Sequence, residues 1–378
     1  MQASIRYILL ALGSLIGLHF ILSISHEEYG KATSLSTIAS KFGSTYPHNV
    51  PEEYYDNGSY ENSNSTNRRK ANAAFVILAR NGDLQGVLES IKQNEDRFNK
   101  RYGYPYVFLN EEPFSADFIK YTTEVVSTKT EYGLIPHDHW YQPKWIDEDR
   151  AKASRKKMED KQVIYGGSVP YRNMCRFNSG FFFRHDLLKK YDYYWRIEPN
   201  VKFYCDLHYD PFLFMQDNKK VYGFTISLPE YGETIETLWE TVKGFIKAHP
   251  EYIPEDNALK FLSDDGGQTY NRCHFWSNFE IGDLNFWRSE AYMKFFEHLD
   301  QAGGFYYERW GDAPVHSIGA ALFAKKDQIH FFNEVGYKHE PFMHCPTGDV
   351  HARGKCWCDQ NHNFDYEWYS CLKKFEAA

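Results

Sequence analysis

An acidic residue follows one of the predicted strands at a position suited to binding a divalent cation. The segment YYWRI (193–197) predicts a strand, and Glu198-Pro199-Asn200 comes directly after it. Ligands of open α/β sheets bind beyond the carboxyl ends of the strands. Hard cations such as Mg²⁺ and Mn²⁺ prefer carboxylate oxygen and commonly bridge to a diphosphate. Glu198 is therefore a candidate metal ligand, although a solvated loop carboxylate would have the same spacing.

A second segment, 270–283 (YNRCHFWSNFEIGD), crowds aromatic, amide and acidic side chains together. Aromatic faces suit sugar rings, and amides or carboxylates bind hydroxyl groups, so the mixture is typical of a sugar pocket. It is equally typical of an ordinary buried segment. Its Glu280 could be a reactive carboxylate or a buried structural acid paired with an arginine such as Arg272.

The elements that must position these side chains alternate between strands and helices. The apolar run 73–79 predicts a buried strand that ends in a turn at Arg80, and 104–110 predicts a second strand. Between them, apolar residues at i, i+3, i+4 and i+7 predict a helix; they are Leu84, Val87, Leu88 and Ile91. This β-α-β order predicts parallel pairing in an α/β fold. Further strands are predicted at 193–197 and 221–228, and helices at 233–249 and 286–299.

Composition and charge exclude several classes of protein. The chain has 378 residues, of which 42% are hydrophobic and 25% charged, which excludes a disordered, collagen-like or coiled-coil chain. Its 43 Lys and Arg against 51 Asp and Glu give a net charge of −8, so nucleic acid is not an expected partner. Aromatics reach 18%, and we expect most of them to fill the core. The basic positions of 152–161 predict a solvated helix face.

The first seventy residues predict a membrane anchor and a stem. Residues 7–24 form an apolar run long enough to span a bilayer, with Arg6 before it and Glu27 and Glu28 after it. This predicts a cytosolic tail at 1–6, a transmembrane signal anchor at 7–25, a lumenal stem at 26–70 and a lumenal catalytic domain at 71–378. A cleaved signal peptide is the alternative. Glycosylation sequons occur in the stem at Asn57 and Asn64.

The seven cysteines all lie in the proposed lumenal domain. An oxidising compartment permits disulfides, and an odd number leaves at least one cysteine free or paired between chains. The His- and Cys-rich stretch 344–362 could suggest zinc, but its Cys-x-Cys spacing is poor for a zinc site. Disulfides are the simpler prediction.

Five long segments resemble the fungal Golgi α-1,2-mannosyltransferases of glycosyltransferase family 15. They are YRNMCRFNSGFF (171–182), YYWRIEPNVKFYCD (193–206), YNRCHFWSNFEIGDLNFWRS (270–289), GGFYYERWGDAPVHS (303–317) and GYKHEPFMHCP (336–346). The resemblance implies a single GT-A-like α/β domain with a mixed, mainly parallel central sheet. It implies retaining α-1,2 transfer of mannose from GDP-mannose to O-linked or N-linked glycans of a mannosylated glycoprotein, with Mn²⁺ as cofactor. It also implies a single-pass type II protein of the Golgi membrane.

The resemblance also assigns residues to the donor and its metal. Glu198 stands where the family has its acidic metal-binding motif, and His339 in YKHEP matches the metal-binding histidine. Tyr171 matches a pocket tyrosine, predicted to contact the donor together with Glu198. Arg80, at the end of the first predicted strand, is a further donor-binding candidate.

Two carboxylates are predicted to act at the reacting centre. Glu280 in NFEI matches the family's proposed nucleophile, which could attack the anomeric carbon or only stabilise its charge. Asp312 in RWGDAP matches a pocket aspartate that could accept or orient the acceptor hydroxyl, unless it caps a helix ahead of Pro314. Two other functions stay open: a glycoside hydrolase using Glu280 and Asp312, or an inactive glycan-binding relative.

Overall fold

A computed structural model describes residues 50–55 and 69–378, with three isolated positions at 19, 22 and 25. The rest of the predicted anchor, most of the stem, and both sequons at Asn57 and Asn64 lie outside these residues. Among the helices that are described, none combines the length and hydropathy needed to cross a bilayer. The anchor, the stem and the two glycosylation sites therefore stay predictions.

The described residues contain a central sheet of seven strands. In chain order its strands are β1 (Ala73–Leu78), β2 (Tyr106–Asn110), β3 (Thr130–Leu134), β4 (Tyr193–Arg196), β6 (Tyr222–Phe224), β9 (Glu280–Asp283) and β10 (Ile329–Phe331). In space the order is β10-β6-β9-β4-β1-β2-β3. Of these strands only β9 runs antiparallel to its neighbours, so the predicted mixed, mainly parallel sheet is confirmed.

Two smaller antiparallel sheets complete the strands of the described part of the chain. One contains β5 (Lys202–Phe203), β11 (Tyr337–His339) and β12 (Phe342–His344), and the other pairs β7 (Ser227–Pro229) with β8 (Cys273–Phe275). The prediction of one strand over 221–228 was wrong. The chain leaves the central sheet after Phe224, and Ser227 pairs instead with Phe275 of β8.

Helices pack on both faces of the central sheet. Those of six residues or more are α1 (Leu84–Asn94), α2 (Ala116–Val125), α3 (Glu148–Asp160), α4 (Val169–Gly180), α5 (Pro211–Asp217), α6 (Leu238–Ala248), α7 (Glu290–Ala302), α8 (Asp312–Phe323), α9 (Gly348–Arg353) and α10 (Leu372–Ala377). Single turns lie at Lys100–Tyr102, His137–Trp140, Leu259–Leu262, Leu284–Trp287 and Gly304–Tyr307. The predicted helix 286–299 is divided because the Ser289 hydroxyl accepts from the Tyr292 amide and caps a new helix start. The predicted helix 233–249 begins later, at Leu238.

The hydrophobic core lies on both faces of the sheet. Along β1, Ala74 and Val76 pack into one buried cluster while Phe75 and Ile77 pack into the other. Both faces of this strand are covered by helices, which is why its sequence is continuously apolar rather than alternating. The rings stack closely there, with centroids of Phe75 and Tyr106 4.8 Å apart. The expectation that most aromatics fill the core is confirmed.

Within the described residues six cysteines form three disulfides: Cys205–Cys356, Cys273–Cys371 and Cys345–Cys358. The seventh, Cys175, is free and buried in α4. Cys345, Cys358 and His351 do lie close together. Both sulfurs of that group are joined in a disulfide, however, so they are not thiolates available to zinc.

Candidate active site

A cleft of about 690 Å³ opens at the carboxyl ends of β1 and β4, where α/β folds bind ligands. Four of the side chains that line it lie at the end of a strand, just beyond one, or at a helix start. Glu198 follows β4, His339 ends β11, Arg80 follows β1, and Asp312 begins α8. The predicted residues thus converge on one cleft although they are distant in the sequence.

Glu198 and His339 lie side by side, with Nε2 of His339 3.6 Å from Oε2 of Glu198. Nδ1 of His339 lies 3.0 Å from the Glu340 carbonyl oxygen, to which it can only donate. In the neutral ring the lone pair is therefore on Nε2, facing the Glu198 carboxylate. An imidazole nitrogen and a carboxylate oxygen this close form a donor set that fits a cation such as Mn²⁺.

Charge keeps Glu198 ionised. Burial raises the pKa of Glu198, but the charge of Arg196 and the contact with His339 outweigh it and lower that pKa to about 2. Burial lowers the pKa of His339, yet Glu198 reverses this and the net shift is upward. The two groups therefore stabilise each other's charged forms.

Arg196, the last residue of β4, holds the acidic residues of the cleft in place. Its guanidinium donates to Glu198 and, at 2.6 Å, to Oδ2 of Asp312. Ser277 Oγ donates to the same Asp312 oxygen at 2.9 Å. Our sequence analysis missed Arg196 as a site residue. The available signal was a charged side chain at the last position of an otherwise apolar strand.

Asp312 is not a helix cap. Gly311 occupies the N-cap position of α8, and Asp312 is the first helical residue, with its carboxylate turned to Arg196 and Ser277. The alternative of a capping aspartate ahead of Pro314 was therefore wrong. Asp312 is 5% exposed and contributes to the cleft wall, as a residue that binds a ligand hydroxyl must.

Glu280 lies beneath the cleft rather than in its wall. It is fully buried at the start of β9, opposite Arg196 in the strand pairing. Its Oε2 accepts from the Tyr194 hydroxyl, and Oε1 lies 2.7 Å from Nδ1 of His316. The described residues that line the cleft do not include Glu280, and Arg272 is not among its described partners. Glu280 borders a small adjoining void whose wall shares Arg196 and Leu78 with the cleft.

The contact between Glu280 and His316 holds a single proton. Nε2 of His316 lies 2.9 Å from the Asn178 carbonyl oxygen and must carry a hydrogen to donate to it. One further proton then lies between Nδ1 and Oε1. The pair is either imidazolium with carboxylate or imidazole with carboxylic acid. Trp287 stacks on the His316 ring at 4.4 Å and closes this network from solvent.

Tyr171 and Arg80 occupy other parts of the cleft. Tyr171, in α4, stacks on Tyr165 with centroids 4.5 Å apart, and burial raises its pKa well above the ordinary value. Arg80 lies at the rim, where its side chain is 69% exposed and its guanidinium pairs with Asp83 at 3.1 Å. Both line the cleft, and contact of either residue with a donor stays a prediction.

Comparison with known proteins identifies the family of this chain. The sequence profile of the family described as glycolipid 2-alpha-mannosyltransferase matches residues 29–378. Glycolipid 2-alpha-mannosyltransferase 1 of Candida albicans is 57% identical over 307 residues, which cover 81% of this chain and 71% of that protein. The O-glycoside alpha-1,2-mannosyltransferase omh1 of Schizosaccharomyces pombe is 53% identical over 310 residues, covering 82% of this chain and 79% of that protein.

A solved structure shows the same fold. The Mn/GDP form of core-mannan synthase A (CmsA/Ktr4) from Aspergillus fumigatus superposes with a TM-score of 0.78 at 39% identity, covering 87% of this chain and 91% of that one. The profile match spans residues 29–378, which is most of the chain, and the relatives align over most of their own lengths. The chain therefore belongs to the glycolipid 2-alpha-mannosyltransferase family, glycosyltransferase family 15.

Proposed function

We propose that this protein is a retaining α-1,2-mannosyltransferase that moves mannose from GDP-mannose to a mannose hydroxyl of O-linked or N-linked glycans. One observation carries the proposal. In a member of this family, the Glu198–His339 pair is joined through Arg196 to Asp312 in one cleft at the carboxyl edge of the sheet. That arrangement places a cation-binding pair beside a carboxylate suited to a sugar hydroxyl.

Glu198 and His339 would hold Mn²⁺, which neutralises the charge that develops on the leaving diphosphate when it is bound. Arg196 orients the Glu198 carboxylate and adds a positive charge at this end of the cleft. Arg80 is exposed at the rim, and we propose that it contacts the donor when the donor enters the cleft. Tyr171 supplies a ring and a hydroxyl to the cleft wall.

Asp312 is proposed to orient the acceptor hydroxyl and to accept its proton. Both of its described hydrogen bonds fall on Oδ2, so the carboxylate is fixed through one oxygen while Oδ1 is left for a ligand. Glu280 is proposed to stabilise positive charge at the anomeric carbon from beneath Arg196. Direct attack would require the Glu280 carboxylate to leave its contacts with Tyr194 and His316.

The geometry disfavours a glycoside hydrolase. Such an enzyme uses two carboxyl groups that both face the scissile bond. Asp312 lines the cleft, but Glu280 is fully buried behind Arg196. A hydrolase built on this pair would lack one of its two reacting groups.

We also propose that the protein is a single-pass type II protein of the Golgi membrane, with anchor, stem and lumenal domain as predicted from the sequence. The disulfides in the described residues support a lumenal catalytic domain, because such bonds persist in oxidising compartments.

The test is a transfer assay with the full-length protein. With labelled GDP-mannose and methyl α-mannoside, we expect a labelled disaccharide that forms only when Mn²⁺ is present and that an α-1,2-specific mannosidase cleaves. Linkage analysis should give an α-anomer. Release of free mannose from an oligomannoside without GDP-mannose would instead identify a hydrolase, and binding without any product would identify an inactive relative.

A further inference from the structure

Arg309 is a buried arginine in the cleft wall whose hydrogen-bonding capacity is not fully used. It is 2% exposed, and its nearest ionic contact is Glu230, with Nη2 3.6 Å from Oε1. Among the described residues, its Nε has no hydrogen-bond partner. The guanidinium carbon lies 5.1 Å from the ring centroid of Tyr171, another residue of the cleft wall, so the charged group is held between a ring and one loosely placed carboxylate.

A second buried arginine shows what a purely structural role looks like in this protein. Arg176, in α4, is buried to the same degree as Arg309. It binds Asp300 through two parallel hydrogen bonds of 2.8 Å. Arg309 differs because its described carboxylate contact, with Glu230, is loose and because the residue lines the cleft.

The partner of Arg309 lies next to the proposed acceptor aspartate. Glu230 follows β7, and its Oε1 accepts from the Tyr231 amide at 2.8 Å. A Cβ added at Gly311 would lie 3.4 Å from Oε2 of Glu230, so the loop that leads into Asp312 passes beside this carboxylate. Arg309, Glu230 and Asp312 all line the cleft and form one continuous polar wall.

The charge of this wall favours a neutral ligand. The negative Glu230 already balances the positive Arg309, so an incoming phosphate would meet repulsion as well as attraction. A pair of hydroxyl groups can instead accept from the guanidinium and donate to the carboxylate. Nearby rings suit the faces of a sugar, and two of them are open to solvent: Tyr231 is 51% exposed and Tyr165 is 56% exposed. This open edge suits a sugar attached to a larger glycan.

We propose that Arg309 and Glu230 form the subsite that binds neighbouring hydroxyl groups of the acceptor hexopyranose. The inference rests on the proposed mannosyl transfer and adds to it the residues that select the acceptor. The donor diphosphate is served by Glu198 and His339, and the two sets of residues therefore act on different substrates.

Steady-state kinetics of full-length Arg309→Lys and Glu230→Gln test the assignment. We expect KM for methyl α-mannoside to rise about tenfold or more in each variant, with KM for GDP-mannose changed less than about twofold. Arg176→Lys is the matched control, which should lower thermal stability and leave both KM values near those of the wild type. A rise in KM for GDP-mannose alone, or unchanged KM for the mannoside, would overturn the proposal.

A binding measurement separates this inference from the reaction itself. Saturation-transfer NMR of methyl α-mannoside, with protein, GDP and Mn²⁺, should show contact in the wild type and Arg176→Lys and lose it in Arg309→Lys. The isosteric Glu230→Gln variant covers the case in which Arg309→Lys does not fold. If neither the wild type nor any variant transfers mannose but the binding pattern is as expected, the subsite is supported and the proposed reaction is refuted. Equal binding in all variants refutes the subsite.

Discussion

At the scale of single residues, Arg196 determines how the acidic groups of the cleft are arranged. Burial lowers the pKa of Arg196, but the charges of Glu198 and Asp312 outweigh this effect and give a net upward shift. A planar guanidinium can bind two carboxylates in fixed directions, which an ammonium group cannot do. The Glu198 side and the Asp312 side of the cleft are therefore coupled through one side chain.

We expect Glu280→Gln to remove most of the transfer while preserving the fold. The amide can donate to Nδ1 of His316 and accept from Tyr194, so both hydrogen bonds of the buried site survive. The carboxyl group and the proton that it shares with His316 are lost, and kcat should fall by about 10²-fold or more. Stopped assays with labelled GDP-mannose give kcat, and thermal melting checks the fold. Near-wild-type turnover in a stable variant would remove Glu280 from the mechanism.

Sequence reasoning found some of the site residues and missed others for a physical reason. Glu198 and His339 are in contact; the sequence marks Glu198 by its place after a predicted strand, and marks His339 only by the resemblance to the family. Arg196 and Asp312 lie 116 residues apart, and His316 and Glu280 lie 36 apart. Such partners are brought together only by sheet order and helix packing, which local patterns do not encode.

At the scale of elements, short strands escaped prediction for the same kind of reason. β9 has four residues, two of them acidic and one a glycine, so its sequence lacks an apolar run. It is held by pairing with β4 and β6 rather than by its own propensity. The long apolar strand β1 was predicted to within one residue, because both of its faces are buried.

The segment Val50–Tyr55 is attached to the domain through a buried carboxylate. Oε1 of Glu334 accepts from the Val50 amide at 2.9 Å and from the Tyr55 hydroxyl at 3.4 Å. Among the described atoms, Oε2 has no partner. Burial raises the pKa of Glu334 to about 7, against 4.5 in the unfolded chain.

This shift predicts a pH-dependent stability. The folded-state pKa lies above the unfolded value, so the contribution of Glu334 is fully present below about pH 4.5 and is lost as the pH rises through about 7. The largest change in the free energy of unfolding that this pKa shift can produce is about 3 kcal/mol. Glu334→Gln mimics the protonated acid, and its stability relative to wild type should therefore increase between pH 5 and pH 8. Denaturant unfolding measures the difference, and Glu53→Gln on the same segment is the control. Parallel pH profiles for wild type and Glu334→Gln would contradict the assignment.

At the scale of the whole molecule, disulfides connect the site to the C-terminal region. Cys205–Cys356 joins residues 151 apart. A Cβ added at Gly336 would lie 2.5 Å from the Cys205 sulfur, so this bond packs against the residue that leads into β11 and His339. The disulfide therefore supports the strand that carries a predicted metal ligand.

We expect Cys205→Ser with Cys356→Ser to weaken both stability and metal-dependent binding. Loss of a loop constraint of this length costs about 2–5 kcal/mol. Looser positioning of His339 should also reduce the affinity for GDP in the presence of Mn²⁺, measured by calorimetry. The matched control is Cys345→Ser with Cys358→Ser, which removes a disulfide between residues only 13 apart in the sequence. Unchanged GDP affinity in the first double variant would show that the disulfide does not support the site.

The reversed direction of β9 has a mechanical consequence. Glu280 is the first residue of β9 and pairs with Arg196 of β4, whereas Glu198 stands just past the end of β4. A group inside a hydrogen-bonded ladder is stiff, while one on a connecting loop is compliant. We therefore expect the backbone at Glu280 to keep its position when a ligand binds, and any backbone adjustment to occur in the segment after β4 that carries Glu198.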